Sequence, residues 1–135
     1  MKPPFVFLPH TADIKFQAFG DTINELFENV TKAVADYLGG GMKIGSTIGR
    51  VIQLQGRDKE SLLYSYIDEL LYLLDAENFV VSKALVNVRG NNLMAELYGD
   101  NAEKYHLQHI KAATYSEMEI KKKDGKWEAL AVLDV

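Results

Sequence analysis

The chain predicts an α+β domain, a two-layer sandwich in which two amphipathic helices pack on a mainly antiparallel sheet. Three observations carry this: two apolar stripes at helical spacing, short alternating segments around them, and an Asp124-Gly125 pair joining two strand-like runs near the end. Strands and helices do not alternate strictly, which argues against a parallel βαβ sheet.

Residues 5–8 and 13–19 read as short strands, the second with Ile14, Phe16 and Ala18 alternating with Asp13, Lys15 and Gln17. Gly20-Asp21 breaks that pattern. Thr22 and Glu25 have the spacing of a capping box, and Ile23, Leu26, Phe27, Val30, Ala33, Val34, Tyr37 and Leu38 recur at three- and four-residue steps, so a helix follows. Gly39-Gly40-Gly41 stops it, because glycine takes the left-handed turn without steric cost; the triplet lacks the lysine and hydroxyl residue of a phosphate-binding loop. A β stretch from about Ile44 to Leu54 comes next. Asp58 caps the second helix, whose buried stripe is Leu62, Leu63, Tyr66, Ile67, Leu70, Leu73 and Leu74, running to about Asp75. Val80 to Val88 and Leu93 to Tyr98 form a hairpin through Gly90-Asn91-Asn92, and Asp100 to Leu107 is a polar connection with room for one helical turn.

The last pair, Ile110 to Lys123 and Lys126 to Asp134, flanks Asp124-Gly125, which suits the two left-handed positions of a type I′ turn. That turn sets a register in which Lys123 opposes Lys126, Lys121 opposes Glu128 and Tyr115 opposes Asp134. Lys111 then lies roughly 13 Å beyond the pair and reaches Asp134 only through a bulge or bend. Lys121-Lys122-Lys123 discourages edge-to-edge strand association.

At 135 residues the chain makes one domain over 1–135, long enough to bury roughly two thirds of its unfolded surface. Hydrophobic residues at 47% and charged residues at 25% place it among ordinary globular domains rather than disordered chains. The absence of cysteine excludes disulfides, thiolate metal sites and thiol nucleophiles, leaving oxygen and imidazole ligands. A net charge of -4 argues against a broad electrostatic grip on nucleic acid; any RNA would be held by a partner protein. No segment approaches the ~20 apolar residues of a membrane span and no signal peptide is visible, so a cytoplasmic location is expected.

The chemistry concentrates at the two ends. Leu130-Ala131-Val132-Leu133 delivers Asp134 and the carboxylate of Val135 to one point, and His10-Thr11-Ala12-Asp13 opens a second strand. If those strand ends meet, three hard oxygen groups converge, suited to calcium or magnesium. The alternative is that Asp13 caps a turn and Asp134 lies in solvent at a frayed terminus.

Four segments in order, His10-Thr11-Ala12-Asp13, Leu62-Leu63-Tyr64-Ser65-Tyr66-Ile67-Asp68-Glu69-Leu70-Leu71-Tyr72, Ile110-Lys111-Ala112-Ala113-Thr114-Tyr115 and Leu133-Asp134-Val135, resemble the archease family over nearly the whole chain. The resemblance implies a non-enzymatic accessory protein of tRNA splicing and RNA repair, which promotes guanylylation and turnover of an RtcB-type RNA ligase and meets tRNA only through that ligase. It implies a divalent metal, calcium first, on Asp13, Asp134 and Val135, and a role in ligase activation for Lys111. Two departures stand out: Ser116 replaces a histidine that often follows the Thr-Tyr pair, and the connection with His106 and His109 is shortened, so neither histidine is carried over. Read from chemistry alone, Lys111 is either a solvated edge lysine or a counter-charge to the acidic cluster. His10 is expected to orient Asp13 from outside the ligand set. Tyr64, Asp68 and Tyr72 recur near helical spacing and form a candidate partner face. Two other functions remain open: a chaperone-like modulator of a tRNA methyltransferase, and a small metal-dependent phosphate hydrolase using Asp13 and Asp134.

Overall fold

The computed structural model describes residues 2–10 and 12–135; Met1 and Thr11 lie outside the described residues. In chain order the elements are β1 (Phe5–Leu8), β2 (Asp13–Gly20), α1 (Ile23–Gly39), β3 (Ile48–Gln55), α2 (Lys59–Glu77), β4 (Phe79–Arg89), β5 (Asn92–Asn101), a 3₁₀ turn (Ala102–Lys104), β6 (Ala112–Lys123) and β7 (Lys126–Asp134). All strand pairs are antiparallel, and they group into two sheets of order β1-β2-β7-β6 and β3-β5-β4. Each helix bridges both sheets: α1 packs on β4, β2, β1 and β7, and α2 on β6, β4 and β3. One helical layer therefore covers a strand layer split in two, which is the expected two-layer α+β arrangement with a divided sheet.

Both helices start where side chains can satisfy their free N–H groups. Thr22 Oγ1 accepts from Glu25 N at 3.0 Å, while the reciprocal contact falls one residue earlier than a standard box, Asp21 N donating to Glu25 Oε1 at 2.8 Å. Asp58 and Ser61 close a complete capping box on α2. Gly40 ends α1 and Asn78 ends α2, both left-handed. The expected buried stripes are the core: Leu26, Phe27, Val30, Leu62, Leu63, Tyr66 and Ile67 are fully enclosed with Phe16, Ala131 and Leu133. Between the helices, Thr31 Oγ1 donates to Phe27 O at 2.8 Å and lies 2.6 Å from Tyr66 OH, so the phenol is the donor in the second contact.

Two expectations shift. The stretch expected from Ile44 enters the sheet only at Ile48; Ile44 is buried, yet its carbonyl accepts from Ser82 Oγ at 2.9 Å instead of a strand partner. The last hairpin departs further. Asp124 (φ 54°) and Gly125 (φ 76°) form the expected tight turn, and Lys123 faces Lys126 and Lys121 faces Glu128. Between Thr114 and Glu119, however, residues 115–118 of β6 oppose the single residue Ala131 of β7. Tyr115 is therefore not opposite Asp134, whose partner is Ala112. A turn fixes register only up to the first bulge, and Glu117 at φ 66° sits inside this one.

Candidate functional site

β2 begins and β7 ends on an aspartate, and the two are register partners, Asp13 opposite Asp134. Period two then decides where they point. Phe16 and Ala18 on β2, and Ala129, Ala131 and Leu133 on β7, enter the core, so Asp13, Lys15 and Gln17 share the outward face with Asp134, Val132 and Leu130. Like charges directly opposed on one face of a sheet repel. Among the described residues no lysine or arginine forms an ion pair with either aspartate; the imidazole of His10 stands beside Asp13, Nδ1 to Oδ2 3.8 Å, beyond hydrogen-bond distance.

The β6 bulge does two things at this end of the sheet. It draws Lys111 in: its backbone N donates to Asp134 O at 2.8 Å, so the segment expected to lie a dozen ångströms away abuts the pair, with the Lys111 side chain exposed and unpaired among the described residues. It also turns Glu117 toward β2, where Oε1 is 3.1 Å from Lys15 Nζ and Oε2 is 3.6 Å from His10 Nε2. Lys15 and, more weakly, His10 hold the Glu117 carboxyl below the usual carboxylate range. Two residues flanking the site, Ala12 (φ 68°) and Glu117, occupy the left-handed region that non-glycine residues avoid. Neither Glu117 nor Lys15 was singled out by the sequence: a glutamate carries no signature of left-handed geometry, and Lys15 reads as one more outward residue of an alternating strand.

An oxygen-binding divalent cation fits this donor set in part. No three His, Cys, Asp or Glu side chains converge on a point among the described residues, so side chains alone supply the facing pair Asp13 and Asp134. Val135 follows Asp134 at the same sheet end, and two opposed carboxylates with no lysine or arginine partner among the described residues favour a cation between them.

The other residues from the sequence reading lie elsewhere. Tyr64 is half-buried and packs edge-to-face on Tyr115, ring centroids 5.7 Å apart, both lining an open groove of about 540 Å³ with Arg57 and Ser61. Asp68 and Tyr72 are exposed farther along α2, Tyr72 at 57%. His106 and His109 are exposed in the connection before β6. A buried polar cluster escaped the sequence reading: Asp100, 4% exposed, accepts from Tyr105 OH at 2.7 Å, Asn101 N at 2.8 Å, Thr47 Oγ1 at 3.0 Å and Lys104 Nζ at 3.2 Å. It ties the end of β5 to the segment before β3.

No helix among the described residues is long and apolar enough to cross a membrane. The chain is 39% identical to a protein archease of Methanosarcina barkeri, over 97% of this chain and 95% of that one, and 38% identical to a protein archease of Pyrococcus furiosus, over 93% and 94%. The solution structure of a Methanobacterium thermoautotrophicum protein superposes with a TM-score of 0.80 at 28% identity, covering 98% of this chain and 99% of that one. The crystal structure of a Thermotoga maritima protein described as an archease, possible chaperone, shares the fold with a TM-score of 0.72 at 19% identity, over 100% and 98%. The family model of the archease proteins matches residues 5–135, and with these relatives it establishes that the chain belongs to the archease family.

Proposed function

We propose that this chain is a metal-binding, non-enzymatic partner of an RtcB-type RNA ligase, promoting guanylylation and turnover of the ligase in tRNA splicing and RNA repair. The single observation behind this is the register pairing of Asp13 with Asp134 on the outward face of the sheet, Asp13 part-exposed and Asp134 exposed. Asp13, Asp134 and the carboxylate of Val135 are the groups that would hold the metal, with calcium the first choice for an all-oxygen set. Bound there, such an ion supplies positive charge that offsets the repulsion of the opposed carboxylates and ties the two strand ends together. His10, 3.8 Å from Asp13, would orient that carboxylate on closing to hydrogen-bond distance. Lys111, exposed beside Asp134, presents a cation next to this acidic surface, a pattern that a ligase surface could read by charge complementarity. Tyr64, Asp68 and Tyr72 on α2 offer aromatic and acidic contacts to a basic, RNA-bound partner.

A ligase turnover assay tests this directly. Asp134→Asn, or residues appended after Val135, should abolish most of the stimulation; undiminished stimulation by both would reject the site. A second reading, a chaperone-like module for a tRNA methyltransferase, has the description of the Thermotoga maritima protein on its side, and pull-downs that capture the methyltransferase without the ligase would favour it. Phosphate-ester hydrolysis by the isolated chain, lost in Asp13→Asn, would replace both with the hydrolase.

A further inference from the structure

Lys15 is a built-in competitor for the place just assigned to a cation. It follows Asp13 by two residues on the same face of β2 and sits opposite Val132, so Asp13 neighbours it along the strand and Asp134 is its diagonal neighbour across β7. A diagonal spacing of roughly 7–8 Å is within the reach of a lysine side chain. An ammonium group swung onto the pair would neutralise the charge that a divalent ion needs, and, being tethered, it would always be present. In the structure it is held elsewhere: Nζ lies 3.1 Å from Glu117 Oε1.

Glu117 reaches that position only because β6 bulges and its own backbone is left-handed, at φ 66°. Stability does not account for this arrangement, since a left-handed glutamate is unfavourable and a solvent-accessible ion pair contributes little. Strained backbone of this kind gathers at working sites, and here a second strained residue, Ala12, flanks the same cluster. The carboxylate also faces His10 at 3.6 Å, and His10 faces Asp13 at 3.8 Å, so Glu117 borders the pair through two side chains without joining it.

We propose that Glu117 is a positioning residue that holds Lys15 off the Asp13–Asp134 pair and thereby keeps the pair open to a divalent cation. This rests on the metal reading above. Calorimetric titration of the intact protein with calcium chloride at fixed ionic strength tests it, using the native chain, Asp13→Asn, Lys15→Met, Glu117→Gln and the double variant Lys15→Met/Glu117→Gln. Glu117→Gln should weaken calcium binding by about ten-fold or more, Lys15→Met alone should stay within about two-fold of native, and the double variant should return to within about two-fold of native. A folding defect caused by Glu117→Gln would not be repaired by Lys15→Met, so the double variant separates the two causes. Strictly additive effects, with Lys15→Met strengthening binding as much as Glu117→Gln weakens it, would overturn the positioning role in favour of long-range charge. Binding that is lost in Asp13→Asn but unmoved in Glu117→Gln overturns the role of Glu117 alone. No calcium binding by the native chain overturns the metal reading and the positioning role with it.

Discussion

Asp100 and Tyr66 bury ionisable groups for opposite reasons, and each gives stability a pH limb. The hydrogen bond from Tyr105, then those from Asn101, Lys104 and Thr47, hold the Asp100 carboxyl well below its ordinary value of 3.8 despite the opposing cost of burial. A depressed folded-state value means that the contribution is present at every pH above the ordinary value and is lost as pH falls below it, when the unfolded chain takes up the proton first. Urea midpoints should therefore drop on acidification, and Asp100→Asn should lower the midpoint at neutral pH while flattening that acid limb. Tyr66 is the mirror case. Burial pushes its phenol above the ordinary 10.0, so its contribution is intact below that value and is lost in alkali, where the unfolded chain ionises and the enclosed phenol does not. Tyr66→Phe should cost about 1 kcal/mol at neutral pH through the lost contact with Thr31, and should remove part of the alkaline limb. The buried position of Tyr66 was legible from helical spacing alone. Asp100 was not, because its donors come from Thr47, Asn101, Lys104 and Tyr105, and no local pattern links position 47 to position 100.

Elements in this fold guard one another's open edges. Val86 N on β4 donates to Glu28 Oε2 at 2.9 Å and Val88 N to Asn24 Oδ1 at 2.7 Å, both from α1; Ile120 N on β6 donates to Glu60 Oε2 at 3.1 Å, from α2. The sequence pointed to Lys121-Lys122-Lys123 as edge protection, yet hydrogen bonds from the helices also occupy these edge donors, a device that depends on helix placement and is invisible to strand patterning. Asn24→Ala with Glu28→Ala should cost about 2 kcal/mol and produce concentration-dependent association by light scattering, because two strand donors are freed together. Gly99 shows the same dependence on distant chain: a Cβ there would collide with the backbone carbonyl of Val80, beside the irregularity between Val81 and Lys83, so Gly99→Ala should lower stability in urea by about 3 kcal/mol. Helix limits and the Asp124-Gly125 turn were legible because caps and turn residues act within a few positions. The register beyond Glu119 was not, since the bulge depends on a backbone state that glutamate seldom adopts.

At the scale of the molecule, the sequence gives away the number and type of elements but not their grouping, because which strands share a sheet is decided by contacts far apart in the chain. That grouping sets the thermodynamics of the proposed site. β7 lies between β2 and β6, so the Asp13–Asp134 pair joins the first and last parts of the chain at the end of a central strand pair, and anything bound there stabilises the native pairing of distant segments. Calcium at one hundred times its dissociation constant should add about 2.7 kcal/mol to the folded state, which for a chain of 135 residues corresponds to a rise in melting temperature of roughly 10 °C. Asp134→Asn separates this effect from ordinary salt stabilisation because it acts with opposite sign in the two conditions. Without calcium, removing one of two opposed carboxylates relieves repulsion and should raise stability by about 0.2–1 kcal/mol. With calcium, the same variant should show no ion-dependent rise, so its melting curve crosses from above the native one to below it. Thermal melts of both proteins in chelator and in calcium check this. A native protein whose melting temperature ignores calcium, or a variant that gains as much from it as the native chain, would leave the aspartates as an unrelieved repulsion at the sheet end with no cation to account for it.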